Sequence, residues 1–518
     1  MKKFFLAATA ALLTLISCTK GDDDPRLVII TFDGLRWQEL FSGADEGLVG
    51  DTRFVKDPEA LKAAYWRDTP EARREALMPF VWSHVPQHGY FLGNREKNSL
   101  MQVANDKNFS YPGYSEMFCG YPDDERIDSN DPVPNPNHSV LEAVNADPRY
   151  KGSVMMLSSW ESIRFAVNNE RGGFPGSSAH EPLYIETAMS TLLQEIDEHL
   201  PGFGGGERAD FITAAFALET LKEAHPKVFY VGFGDTDEFS HAGEYDKYLE
   251  ATHWTDGFIR RIVESCEADP FYKGKTTYIL TCDHGRGRGA GFQSHGADVR
   301  GSNQTWFIAF GKGVPVLGET KDNGIFYTKQ FAATIADILG VDFTPDNGQK
   351  CEPFDPAYYK EPEAPKALAS FEAVKDAKPK GKGLRYTYAE GDFMSVVPML
   401  NTPVKARGIA PVLSTGMKLR EDHFGLVFKG LVKVPEDGLY LLSLASDDGS
   451  KLFWDGQLLW DIDRDGGGFR EGWYQLTAGY HRIELQYFEN YGGENIEIGL
   501  TGPGVDVENL PADMLFYE

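Results

Sequence analysis

Three short stretches of this 518-residue chain place acidic and imidazole side chains where apolar runs end. In LVIITFDGLRW, a strand-like run delivers Asp33 into a turn that Gly34 permits. In GFGDTDEFSHAGEY, Asp237 and His241 stand four residues apart just past a second run, a spacing that puts both on one helix face. In YILTCDHGRGRGAGFQSHGADVRG, Asp283 and His284 are adjacent at the end of a third run, and His295 follows a glycine-rich loop. A carboxylate with an imidazole is a standard donor combination for a zinc-type divalent ion. An Asp after a strand is more often a turn or helix cap, so no stretch decides the matter alone. Together they supply three carboxylates and three imidazoles, the ligand count for two divalent metal ions.

Positioning six such groups needs a sheet whose strands end together. From residue 26 to about 350, short β-branched and aromatic runs alternate with stretches of helical period, the pattern of a doubly wound, mostly parallel α/β sheet. The expected strands are 26–32, 152–157, 227–233, 276–281 and 305–310. In such sheets ligands bind outside the carboxyl ends of the strands, where these polar residues fall. Between about 160 and 225 the chain inserts GGFPG, PGFGGG and an amphipathic helix, which reads either as a cap over the site or as a surface excursion. The Pro-, Lys- and Glu-rich segment 356–383 reads as a linker. From 384 to 518 short alternating strands with Gly and Asp turns predict an all-β sandwich.

The order and chemistry of the motifs resemble the alkaline phosphatase superfamily, which includes nucleotide pyrophosphatase/phosphodiesterases, sulfatases and cofactor-independent phosphoglycerate mutases. The resemblance covers roughly residues 26–355 as a catalytic domain with a sheet of alkaline phosphatase type. It implies a nucleophile at a helix start between the first ligand and the second pair, where NFSYPGYSEMFCGYPD lies. Phosphodiesterases of the group carry Thr-Phe-Pro with a glycine ten residues beyond the nucleophile; here Ser110-Tyr111-Pro112 precedes Gly120. Ser110 is therefore the expected nucleophile, and Ser115 the alternative in the same segment. By the family's arrangement Asp33, Asp283 and His284 hold the ion that also binds Ser110, while Asp237, His241 and His295 hold the second. Zinc is the expected metal and manganese the alternative, and the reaction would pass through a phosphoserine in hydrolysis of a small phosphate monoester or diester.

Two departures from the family bear on the substrate. An Asn that contacts the phosphoryl oxygen is expected shortly after the nucleophile, and Gly113 stands there. Arg126 and Arg164 are candidate clamps that carry no assignment. A sulfatase is the enzymatic alternative, since Ser110 and Pro112 fit its C/S-x-P-S-R frame, but Gly113 and Tyr114 replace the frame's Ser and Arg.

The remaining sequence concerns location and targeting. With 51 basic against 78 acidic side chains and no basic stripe, a long nucleic acid is not an expected partner. Residues 1–17 read as an export signal. Leu15-Ile16-Ser17-Cys18 resembles a bacterial lipobox, which implies acylation of Cys18 and a lipid anchor in a bacterial membrane, facing the periplasm or cell surface. Residues 18–25 form an acidic tether. Cys119, Cys266, Cys282 and Cys351 lack zinc-knuckle spacing, and Cys282 reads as a buried thiol. LASDDGSKLFWDG and YHRIELQYFENYGG resemble the β-sandwich module first described in anthrax protective antigen. That resemblance implies a carbohydrate ligand, with calcium held by Asp447 and Asp448; Asp-Asp-Gly is equally good turn chemistry. Trp454, Trp460 and Trp473 either stack on sugars or fill the core. A surface glycan-binding lipoprotein with an inactive catalytic domain is the non-enzymatic alternative.

Overall fold

The computed structural model describes residues 24–200, 206–321, 324–356, 367–464, 466–492 and 494–518, so residues 1–17, read as an export signal, and Cys18 lie outside the described residues. The chain forms two compact units, one of residues up to 285 plus 303–359, the other of 286–302 plus 360–518. No helix among the described residues is long and apolar enough to cross a membrane.

The first unit is built on one eight-stranded sheet. Its strands are β1 Arg26–Phe32, β2 Gly89–Leu92, β3 Val154–Ser158, β4 Gly176–Ser178, β5 Val228–Phe233, β6 Thr276–Cys282, β7 Phe307–Gly311 and β8 Gly318–Glu319, in the order β4-β3-β5-β1-β6-β7-β2-β8. β1, β3, β4, β5 and β6 run parallel. β7 is antiparallel to β6 and β2 antiparallel to β7, so the sheet closes with a mixed edge. Every residue of β1, β5 and β6 is buried, which is why these strands read as unbroken apolar runs rather than alternating ones. Thr31 of β1 lies level with Gly232 of β5 and Thr281 of β6. The residues just beyond, Asp33, Gly234 and Asp283, therefore leave the sheet at one height.

Four helices matter for the site: α1 Pro79–His88, α2 Ser110–Cys119, α3 Asp235–His241 and α4 Tyr245–Ala268. α2 is buried along its whole length and packs Tyr114, Met117 and Phe118 into the main core with β1 and β5 residues. Gly120 ends it at φ 81, the left-handed conformation of a C-terminal cap, which accounts physically for the glycine ten residues past Ser110. Asp256 of α4 accepts the Phe80 and Val81 amides of α1, each at 2.8 Å, and so pins the start of one helix to the flank of another.

The second unit contains a five-stranded sheet and a larger antiparallel one whose longest pairing joins Phe424–Val434 to Gly479–Glu489. The segment read as a linker supplies strands Ala369–Phe371 and Gly381–Lys382, paired with Gly468–Leu476 and Leu515–Tyr517. Those partners are about a hundred residues or more away in sequence, so local composition gives no sign of them. Trp454 is fully buried in this unit's core, and Trp460 packs edge-on against Tyr474 at its margin.

Candidate metal centre

Asp33, Asp283 and His284 each offer one ligand atom within 4.8 Å of the others, and all three are buried. Ser110 Oγ donates to Asp33 Oδ1 at 3.2 Å and lies 3.2 Å from His284 Nε2. His284 Nε2 is 3.4 Å from Asp33 Oδ1, 3.4 Å from Asp283 Oδ2 and 3.9 Å from Asp237 Oδ1. Asp237 Oδ2 in turn lies 3.1 Å from His241 Nε2. Five of the six expected ligands and the expected nucleophile thus converge within the first unit. His295 lies on the 286–302 segment, which groups with the second unit.

This donor set fits a divalent cation. Asp283 Oδ2 is buried without a hydrogen-bond partner, which is costly for a carboxylate oxygen unless a cation sits beside it. Burial and the neighbouring Asp33 charge push the Asp283 carboxyl well above the usual carboxylate range. His284 Nδ1 lies 2.8 Å from the Gly285 carbonyl, an arrangement that places the proton on Nδ1 and turns Nε2 toward the carboxylates.

The scaffold holds each group from behind. Gly34 N donates to Asp283 Oδ1 at 3.0 Å and Tyr114 Oη donates to Asp33 Oδ2 at 3.2 Å, so both carboxylates are oriented by neighbours. Thr236 Oγ1 donates to the Asp33 carbonyl at 2.5 Å, fastening the first turn of α3 to the end of β1. Asp210 accepts the Gly234 amide at 2.8 Å and the Asp235 amide at 3.1 Å, and so fixes the turn that presents Asp237.

Ser110 is the first residue of α2, with Phe109 before it, and its hydroxyl faces Asp33 and His284 instead of capping the helix. Ser115, the alternative in the same segment, lies inside α2, where its hydroxyl accepts from Asn135 Nδ2 at 2.9 Å. At Gly113, a Cβ would come within 2.5 Å of the Asp283 carbonyl oxygen. No side chain fits there, so the Asn of the phosphodiesterases and the Ser of the sulfatase frame are both sterically barred from this backbone. Arg126 is paired with Asp123 and Arg164 with Glu181.

Two residues near the centre escape a reading of motifs. Asn130, exposed, accepts the Tyr111 amide at 2.9 Å through Oδ1 and so stands at the start of α2. Glu207 is buried, and desolvation together with Glu238, Asp33 and Asp237 pushes its carboxyl well above the usual range. Asn130 follows Ser110 by twenty positions in an irregular stretch, and Glu207 follows a glycine run; neither has a local signal.

In the second unit Asp448 is buried, its Oδ1 accepting from Gly466 N and its Oδ2 from Asn490 N. The Asp447 carbonyl accepts from Tyr487 Oη. Burial pushes the adjacent Glu489 carboxyl up to about 7, with Asp448 and Asp447 adding to the rise. Among the described residues neither Asp belongs to a group of three close ligand atoms. The four described cysteines are free thiols, and Cys282 is buried as expected.

Comparison with known proteins covers both units. Residues 382–513 match the PA14 domain family. No curated protein matches the chain. Similar solved structures include an alkaline phosphatase superfamily protein from Vibrio parahaemolyticus, 14% identical over 64% of this chain and 70% of that one, with a TM-score of 0.40. A putative sulfatase from Bacteroides thetaiotaomicron is 10% identical over 64% of this chain and 74% of its own, with a TM-score of 0.42. The PA14 domain of the antifreeze protein MpAFP is 16% identical over 28% of this chain and 96% of its own, with a TM-score of 0.23.

Proposed function

We propose that this chain is an exported, metal-dependent phosphoesterase of the alkaline phosphatase superfamily that transfers a phosphoryl group to Ser110. The observation that carries the proposal is the convergence of one helix-start hydroxyl with two buried carboxylates and an imidazole. Asp33, Asp283 and His284 would hold one divalent ion, and Asp237 and His241 with His295 the other. Zinc, or manganese as the alternative, supplies positive charge at the nucleophile and at the leaving oxygen.

The chain's own groups account for the rest. Asp33 Oδ1 accepts the Ser110 hydroxyl proton, which keeps the oxygen lone pairs turned outward toward phosphorus. The positive end of α2 favours the phosphoryl anion above Ser110. Asn130 is held by the Tyr111 amide through Oδ1, so its Nδ2 is the donor assigned to a phosphoryl oxygen in place of the barred residue 113. Ser110 oxygen bonds to phosphorus as the phosphorus–oxygen bond to the alcohol breaks and the serine proton ends on the departing alcohol; water then attacks the phosphoserine, releasing phosphate from a monoester or the remaining monoester from a diester, and returns the Ser110 hydroxyl.

Phosphate is preferred to sulfate because Gly113 and Tyr114 replace the Ser and Arg of the sulfatase frame; formylglycine at position 110 by mass spectrometry would reverse that preference. The same reading takes Cys18 as the lipid anchor in a bacterial membrane. It takes the PA14 region as a carbohydrate-binding module, with calcium at Asp447 and Asp448. The test is hydrolysis of 4-nitrophenyl phosphate and a 4-nitrophenyl diester: activity is expected, lost in chelator and restored by zinc or manganese. Glycan-array binding with and without chelator tests the module.

A further inference from the structure

On the strand-end side of the same sheet the first unit has a cavity of about 280 Å³ lined by Glu161, Arg164, Phe165, Ala179, His180 and Glu181 among others. These residues follow the carboxyl ends of β3 and β4, the strand positions where α/β sheets bind ligands. Ser158 of β3 is level with Gly232 of β5 and Ser178 of β4, so the cavity opens at the height from which the metal-centre residues emerge. β3 and β4 lie two and three strand spacings from β1, about 10 and 14 Å. Trp160 bridges the interval. Its ring centroid is 6.4 Å from that of Tyr114, which hydrogen-bonds Asp33, and its backbone pairs with Glu207.

We propose that this cavity receives the organic group of the ester cleaved at Ser110 and that the group is a sugar. The inference rests on the reading of Ser110 as the reacting residue and adds the substrate class. The lining decides the class. Two carboxylates, a guanidinium and an imidazole crowd a small space, offering donors and acceptors at short intervals, which suits vicinal hydroxyls. Phe165 adds one phenyl ring to the lining, with the Arg164 guanidinium carbon 5.3 Å from its centroid. A nucleobase calls for broad aromatic stacking faces, which this lining lacks.

The polar groups are also held in place. Arg164 is ion-paired with Glu181, and Glu181 Oε2 accepts the Ser178 amide at 3.1 Å, so the pair is fixed at the end of β4. His180 Nδ1 lies 3.0 Å from the buried Asp197 carboxylate. At Gly206, φ is 91° and a Cβ would come within 2.6 Å of the Glu161 carboxyl carbon, so only glycine lets the backbone lie against that side chain. A site prearranged for hydroxyls rejects analogues that lack them far more strongly than an apolar slot rejects a missing methylene.

The test is calorimetric binding to the zinc-loaded full chain carrying Ser110→Ala, which binds without turnover. The probes are glucose, galactose and mannose 6-phosphates, methyl phosphate and uridine 5′-monophosphate. At least one hexose phosphate is expected to bind about tenfold or more tighter than methyl phosphate. Glu161→Gln on that background is expected to collapse the ratio. Arg164→Lys, which keeps the charge but loses the planar fork, provides a second variant that preserves the ion pair with Glu181 and should also lower it. Hexose phosphates that bind no better than methyl phosphate, or uridine monophosphate binding tightest, would overturn the sugar assignment. A wild-type chain that hydrolyses no ester counts instead against Ser110, whereas ester hydrolysis without sugar preference counts against the cavity alone.

Discussion

At the scale of single residues, the proposed reaction rests on the Ser110 hydroxyl, a group that is a weak nucleophile in water. Ser110→Ala should lower kcat on a nitrophenyl ester by at least about a thousandfold while leaving bound zinc unchanged by elemental analysis, because the carboxylates and imidazoles stay in place. Asn130→Ala should cost about a hundredfold in kcat with a smaller change in KM, the signature of a donor used mainly in the transition state. Equal loss in KM and none in kcat would make Asn130 a ground-state contact. Gly113→Ala is expected to be harmful for a different reason: its methyl would collide with the Asp283 carbonyl. The strain should lower stability by about 1–3 kcal/mol and displace Asp283, visible as a lower melting temperature together with weaker zinc binding.

What the sequence reveals at this scale follows from locality. Asp33, Asp237, His241, Asp283 and His284 are legible because each sits within eight residues of a strand end, so type and spacing announce them. Asn130 is not, because its place at α2 comes from one hydrogen bond to a residue nineteen positions earlier. The empty place at residue 113 is visible in the sequence as a missing Asn, but its cause, the approach of Asp283, is a tertiary fact.

At the scale of elements, the site depends on strands ending together and on helices being fixed behind them. The contact of α4 with α1 carries a pH dependence. Burial pushes the Asp256 carboxyl up to about 6, against 3.8 for an unperturbed aspartate. A carboxyl raised on folding is protonated in the folded chain while the unfolded one has ionised. The contribution of this carboxyl to stability is therefore fully present below about pH 4 and is lost as pH rises through about 6, by on the order of 3 kcal/mol at most. In melts between pH 4 and 7, the difference between wild type and Asp256→Asn should move in favour of the variant as pH rises; a constant difference would contradict the assignment. The buried parallel strands were legible from their unbroken apolar runs. The antiparallel turn of β7, the short strands β4 and β8, and the strands hidden in 367–383 were not, since each is defined by a distant partner rather than by its own pattern.

At the scale of the whole molecule, the proposed metal site predicts that metal binding and folding are linked. Asp33, Asp237 and Asp283 crowd together, and their mutual repulsion opposes folding unless protons or cations intervene. Zinc at a hundredfold excess over its dissociation constant should add about 2.7 kcal/mol per site to stability. The gain should shrink at acid pH, where protons compete for the same oxygens. A melting temperature unmoved by zinc at neutral pH would argue against a built cation site. The most direct test of the central claim, that Ser110 is the group that accepts phosphorus, is mass spectrometry of the zinc-loaded chain quenched in acid during turnover of a phosphate ester. A phosphate adduct is expected on the peptide carrying Ser110, absent in chelator and absent in Ser110→Ala; turnover with an adduct on Ser115, or with position 110 converted to formylglycine, would contradict that role.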